Sequence, residues 1–145
     1  MSTIVFSADG TPAPQGSKTV ARTRSGGSYV REDNPNTKPW RSLVMAAARE
    51  AMAERDPLTG PLLLEVTFRF PRPKSHYGTG RNAGSVKPAA PVWHASRPDL
   101  DKLLRALGDS LVGIVYVDDA QLVEVEAVKV YGSPGVTAIV SELRA

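Results

Sequence analysis

Apolar and polar positions alternate most cleanly over residues 61–70, where Leu62, Leu64, Val66, Phe68 and Phe70 share one face and Leu63, Glu65, Thr67 and Arg69 the other. A period of two with one wholly apolar face predicts a half-buried strand. The period changes between Lys38 and Arg55, where Trp40, Leu43, Val44, Ala47 and Ala51 form one helical stripe. Pro39 suits the first turn of that helix, with Asn36 or Thr37 as its cap. A second helix is predicted from Asp99 to Val112, with Leu100, Leu103, Leu104, Leu107 and Leu111 on its core face and Gly113 as terminator. Residues 3–7 are apolar enough for a strand before the breaker-rich DGTPAPQGS. Segments 19–24 and 28–31 flank SGG as a short hairpin. Residues 114–117 read as a short strand or extended connection, and Asp118-Asp119 as a turn. Segments 120–131 and 136–143 read as two strands closed into a hairpin by GSPG.

These elements make a single α+β domain over 1–145, with a mixed or antiparallel sheet of four or five strands and two main helices packed on it. Nothing repeats and no linker divides the chain. The Pro- and Gly-rich stretch at about 71–97 has no periodicity, and loops of that length usually carry function. Its cations and its aromatic residues, Tyr77 and Trp93, make it a candidate DNA-contacting loop, with a disordered insertion as the other reading. His76 and His94 lie in it as candidate ligands or proton shuttles, although a loop histidine is more often simply exposed.

Composition narrows the classes. Apolar residues are 41% and charged residues 23%, as in an ordinary soluble domain. With no cysteine, thiolate zinc sites and disulfide frameworks are excluded and a reducing setting fits. The start, MSTIVFSADG, lacks a secretory pattern, and no apolar run approaches the roughly 18 residues of a membrane span. The expectation is a cytoplasmic protein with no membrane partner. The net charge of +3 is unevenly spread. Lys18, Arg22, Arg24, Arg31, Lys38 and Arg41 crowd residues 17–41, and residues 71–97 hold five cations and no acid. Residues 99–126 reverse this with seven acids against Lys102 and Arg105. A basic surface around an acidic centre suits an enzyme that holds phosphate with cations and cuts it with carboxylate-bound metal. An ordinary solvated surface gives the same pattern.

The acidic centre is concentrated in Arg97-Pro98-Asp99-Leu100-Asp101-Lys102 and Asp118-Asp119-Ala120-Gln121. Within a helix Asp99 and Asp101 would diverge by about 200°. Pro98 disfavours helix at Arg97, so the helix begins near Asp99 and the pair straddles its boundary. There both carboxylates can reach one point, beside free N–H groups at the positive end of the dipole. The same two aspartates are also an ordinary way to start a helix. Of Asp118 and Asp119, at most one should face the site. Asp109 lies two turns beyond Asp101, as a surface residue or an outer partner of the site.

The order PDLD, a basic residue four after the second Asp, an Asp about eight after it, and then DDAQ resembles the RusA family of Holliday junction resolvases, which are bacterial and phage-encoded. Pro14 to Lys18 (PQGSK) and Trp40-Arg41 also resemble phage members, and Lys129 matches a recurrent lysine. The resemblance implies catalytic, metal-binding roles for Asp99, Asp101 and Asp119, with Mg²⁺ or Mn²⁺ as cofactor. Asp118 and Asp109 are candidate outer partners. Arg105 stands where the family usually has a lysine, which assigns it phosphate binding rather than proton transfer. Lys102 replaces a common asparagine. Lys18, Arg22, Arg24, Arg31, Arg81, Lys87, Lys102 and Lys129 are the candidate DNA-binding cations.

The resemblance further implies branched DNA as substrate and a homodimer that nicks opposite strands of a four-way junction symmetrically. The apolar odd-numbered face of 114–131 (Val123, Val125, Ala127) is the candidate dimer surface. The rivals are a non-catalytic basic DNA-binding protein of phage origin, or a protein unrelated to nucleic acid that uses the same acids differently.

Overall fold

The computed structural model describes residues 2–16, 18–32 and 34–144, with backbone only at 18, 19 and 30–32. In order, the elements are β1 (Thr3–Asp9), β2 (Lys18–Arg22), β3 (Ser28–Glu32), α1 (Thr37–Met52), β4 (Leu62–Phe70), α2 (Leu100–Leu111), β5 (Leu122–Tyr131) and β6 (Gly135–Glu142). The main sheet runs β1-β6-β4-β5, with β6 antiparallel to both its neighbours and β4 parallel to β5. The α+β class and the mixed sheet are therefore as expected. β2 and β3 form a separate antiparallel pair that presents Arg22 and Arg24 to solvent.

The alternation of β4 explains the core. Its even-numbered side chains are buried, Leu62 and Phe68 completely. The helices cover that face with Trp40, Val44, Ala48 and Met52 from α1 and with Leu103, Leu107 and Leu111 from α2. Each fully buried leucine contributes roughly 1.5–3 kcal/mol by area removed from water. The buried row of α1 differs from the expected stripe: Leu43 is 51% exposed, while Ala48 and Met52 face inward. The helix also ends earlier than expected, because Ala53 takes φ 52 and turns its N–H back to the carbonyls of Arg49 and Glu50. Apolar spacing marks the stripe, but the sheet selects which edge of it is covered. Among the described residues no helix is long and apolar enough to cross a membrane.

GSPG does not close a hairpin. β5 and β6 lie on opposite sides of β4, so residues 132–134 cross over its end. Two strand spacings of about 4.8 Å are within reach of so few residues. The crossing is fastened to β4 itself: Gly132 N–H donates to Phe70 O at 2.9 Å, and Arg69 Nε donates to Ser133 O at 3.1 Å. Gly135 is required by close approach, since a Cβ there would lie 2.8 Å from Ala8 O. Turn chemistry reports that the chain reverses; it is blind to a strand lying between the two arms.

Residues 114–117 form no strand but a turn with a buried centre. Gly113 takes φ 81, Val115 and Tyr116 are fully buried, and Leu58 N–H donates to Val115 O at 2.8 Å.

The 71–97 loop folds into two 3-10 turns (Lys74–His76 and Gly80–Asn82) and bridges to β5 through Trp93 and Val130. His94 corrects the expectation of an exposed loop histidine. It is 8% exposed, stacked on Phe70 at 4.3 Å and edge-on to Tyr131 at 5.1 Å. Arg72 lies 4.3 Å over the Tyr131 ring and donates to Pro91 O, while His76 meets the same ring edge-on. Apolar rings from β4 and β5 thus make a socket for a residue that sequence pattern alone leaves unpartnered.

Burial, and then the Lys129 charge, hold the His94 pKa below its ordinary 6.5, offset in part by a backbone hydrogen bond. The unfolded chain therefore binds a proton at His94 more readily than the folded one. Stability from this site is complete above about pH 6.5 and is lost as pH falls from there through the depressed folded value. Melting curves between pH 7.5 and pH 5 should show the loss in the native protein and a smaller one in His94→Phe. Equal losses would exclude His94 as the source.

Candidate active site

The start of α2 is built as its sequence dictates. Arg97–Pro98 is a cis bond, Asp99 is extended (φ −70, ψ 140), and Leu103 N–H makes the first helical bond to Asp99 O. Asp99 occupies the N-cap position, yet its side chain makes no capping hydrogen bond. Asp101 sits in the first turn with Oδ1 accepting from Lys102 N–H at 2.9 Å. The turn before Asp99 is pinned from β5: Lys129 Nζ donates to Ser96 O at 2.7 Å and to Pro98 O at 2.9 Å. Lys129, expected on the DNA surface, thus spends two of its three donors inside the protein.

The Asp118-Asp119-Ala120-Gln121 motif is a device for presenting one carboxylate. Asp118 Oδ1 accepts from Ala120 N–H at 2.9 Å and caps the 3-10 turn Asp119–Gln121. Gln121 Oε1 accepts from the N–H groups of Val117 and Asp118, and its Nε2 donates to Leu58 O and Gly60 O. The two Nε2 bonds tie the turn to the segment entering β4, and the two Oε1 bonds close the entry of the turn itself. With Asp118 committed to the cap, Asp119 projects to the surface.

Asp101, Arg105 and Asp109 follow at i, i+4 and i+8, so they make one stripe of α2. This stripe and Asp119 line an open trough of about 640 Å³, whose remaining polar wall residue is Gln15. Beneath it, Tyr116 donates from its hydroxyl to Gly108 O at 2.8 Å. Burial raises the Tyr116 pKa well above the usual phenol range, with the Asp119 and Asp109 charges adding to the shift. Asp99 opens instead onto an adjoining depression that it shares with Arg97, Lys102 and Asn34. Asp99 and Asp101 therefore straddle the helix boundary as expected, but their carboxylates open onto neighbouring hollows.

Among the described residues no group of three or more acids or histidines is gathered to hold a metal ion. The donor set nevertheless fits a hard divalent cation. Mg²⁺ is commonly held by one or two carboxylates, with waters and substrate phosphate completing its shell. Asp101 and Asp119 offer such a pair in an open trough. Neither histidine lines this trough. His94 and His76 pack against Tyr131 instead. Of the candidate DNA-binding cations, Arg22, Arg24, Arg81, Lys87 and Lys102 are exposed, whereas the side chains of Lys18 and Arg31 lie outside the described residues. Gln15 stands out in the sequence only as part of PQGSK, because a glutamine in a Pro/Gly-rich segment carries no signal of burial.

The chain thus carries exposed cations on the β2–β3 pair and the 71–97 loop, and a trough lined by carboxylates. The chain belongs to the RusA family: the family described as Endodeoxyribonuclease RusA matches residues 9–141. It is similar to the uncharacterized protein YqaN of Bacillus subtilis (strain 168), at 27% identity over 146 residues and across the full length of both chains.

Proposed function

We propose that this protein resolves Holliday junctions and related branched DNA by metal-dependent, paired symmetric nicks. Family membership over residues 9–141 supports nuclease chemistry. The observation that carries the site is the division of labour in the Asp-Asp pair: Asp118 caps its turn, and Asp119 shares a trough with Asp101 and Arg105. In this reading Asp99, Asp101 and Asp119 hold Mg²⁺ or Mn²⁺, which when bound supplies an acidified water and neutralises charge on the phosphate. Arg105 stabilises the charge that develops on the phosphoryl oxygens. The amino end of α2, beside Arg97 and Lys102, receives a neighbouring phosphate. Asp109 and Asp118 support these groups from outside.

Two further elements belong to the proposal. The enzyme works as a homodimer in the bacterial cytoplasm, whether host- or phage-encoded. Its dimer contact runs along β5, an edge strand on which Val123 (63%) and Val125 (43%) are exposed. DNA is held by the hairpin and loop cations. Arg22→Gln, Arg24→Gln, Arg81→Gln and Lys87→Gln should each lower the slope of log affinity against log salt by roughly 0.9. Unchanged slopes would return those side chains to plain solvated surface.

The deciding experiment incubates a synthetic four-way junction with the protein, with and without Mg²⁺ or Mn²⁺. Ligatable nicks at symmetric positions on opposite strands are expected only with the metal. Junction binding without cutting would reduce the protein to a DNA-binding role, and absence of both would overturn the proposal.

A further inference from the structure

Gln15 is an anomaly in the wall of the trough. It is 8% exposed, and its amide Oε1 is buried with no hydrogen-bond partner among the described residues. A buried acceptor left unpaired is destabilising, so it persists where something else supplies the partner. The Gln15 backbone is also fixed. Its N–H donates to Lys102 O at 3.1 Å, in the first turn of α2, and the preceding Pro14 O accepts from Thr37 Oγ1 of α1. Both helices thus hold the Pro14-Gln15 backbone in place, and Gln15 lines the same trough as Asp101 and Asp119.

We propose that Gln15 belongs to the cation site, contributing its amide oxygen as a neutral ligand beside the carboxylates of Asp101 and Asp119. This rests on the metal-dependent reading of the trough. The chemistry is suited to it: hard divalent cations accept amide carbonyls alongside carboxylates. A neutral oxygen completes more of the shell without adding negative charge, so an incoming phosphate is repelled no further. It also accounts for the fixed backbone, since a ligand on a free loop would lose affinity to its own disorder.

The test measures Mn²⁺ binding by titration calorimetry on the full-length protein without DNA, together with melting of the metal-free protein. Gln15→Met keeps the side-chain length and removes the carbonyl. It should bind Mn²⁺ on the order of tenfold or more weakly, as losing a partner of a metal site does, while its metal-free melting midpoint stays level or rises. Gln15→Glu should bind Mn²⁺ more tightly than the native protein. If Gln15→Met binds Mn²⁺ normally while Asp101→Asn and Asp119→Asn are weakened, Gln15 lies outside the site and the metal reading stands. If the aspartate variants also bind normally, the metal reading of the trough falls with it. Should Gln15→Met not fold, Gln15→Glu decides: unchanged affinity overturns the assignment.

Discussion

Asp119→Asn should lower the rate of junction cutting on the order of 10² to 10³-fold, while Asp118→Ala should leave the cutting rate per folded molecule within a few-fold of native. The first effect should exceed the roughly 10- to 100-fold cost of losing an outer partner of a metal site, because Asp119 itself is proposed to hold the cation. The two residues are adjacent and chemically identical, so the contrast isolates geometry. Asp118 Oδ1 is occupied by Ala120 N–H, and losing that cap costs about 1 kcal/mol of stability. Asp119 lines the trough together with the Asp101 stripe. The substitution to Asn keeps the shape of Asp119 and removes its charge, so junction binding at low salt and the melting midpoint should both survive. Single-turnover cleavage with saturating enzyme, read beside thermal melting, separates the two roles. Normal cutting by Asp119→Asn, or loss of cutting in Asp118→Ala at full folding, would reverse the assignment within the pair.

Legibility from sequence followed the range of the forces involved. Short-range periodicity located both helices and β4, because burial of one face imposes a period that any window of the chain displays. The extents of β5 and β6 were legible from the turn residues between them, but their partnership was not. GSPG has hairpin chemistry, and only the insertion of β4 between the arms, a contact with residues some sixty positions earlier, turns it into a crossing. The socket of His94 depends on Phe70 and Tyr131, which come from two different strands, so no local pattern marks the residue as buried. In the acidic centre, alternation of direction along extended chain allowed one of Asp118 and Asp119 to face the site, but could not say which. The choice is made by Asp118's own cap to Ala120 and by Gln121, whose amide bonds the entry of the turn and the segment at Leu58 and Gly60. Gln15 was illegible because its burial comes from α1 and α2 together.

Lys129→Met should reduce kcat about 10- to 100-fold with little change in junction affinity, and Lys129→Arg should recover part of the loss. The ammonium bridges Ser96 O and Pro98 O, the two carbonyls that frame the approach to Asp99. Hydrogen bonds to a charged donor are worth about 1.5–3 kcal/mol each when well buried. One of this pair is exposed, so a loss of about 1–2 kcal/mol of stability is the fitting expectation. The kinetic effect is larger than that cost suggests. A displacement near 1 Å of a catalytic group can cost about 100-fold in rate, and releasing the turn frees the start of α2, which carries both Asp99 and Asp101. A positioning role and a phosphate contact make opposite forecasts for one measurement. As a positioning residue, Lys129 leaves the salt dependence of binding unchanged on substitution. As a phosphate contact, its removal would lower the slope by roughly 0.9 and raise KM rather than depress kcat. Hydrogen exchange adds a readout that DNA contact would not move: amides at 97–101 should exchange faster in Lys129→Met without any DNA present. Because the Lys129 charge adds to burial in depressing the His94 pKa, the same substitution should relieve part of the acid-side loss of stability that His94 produces, joining loop and site through one ammonium group.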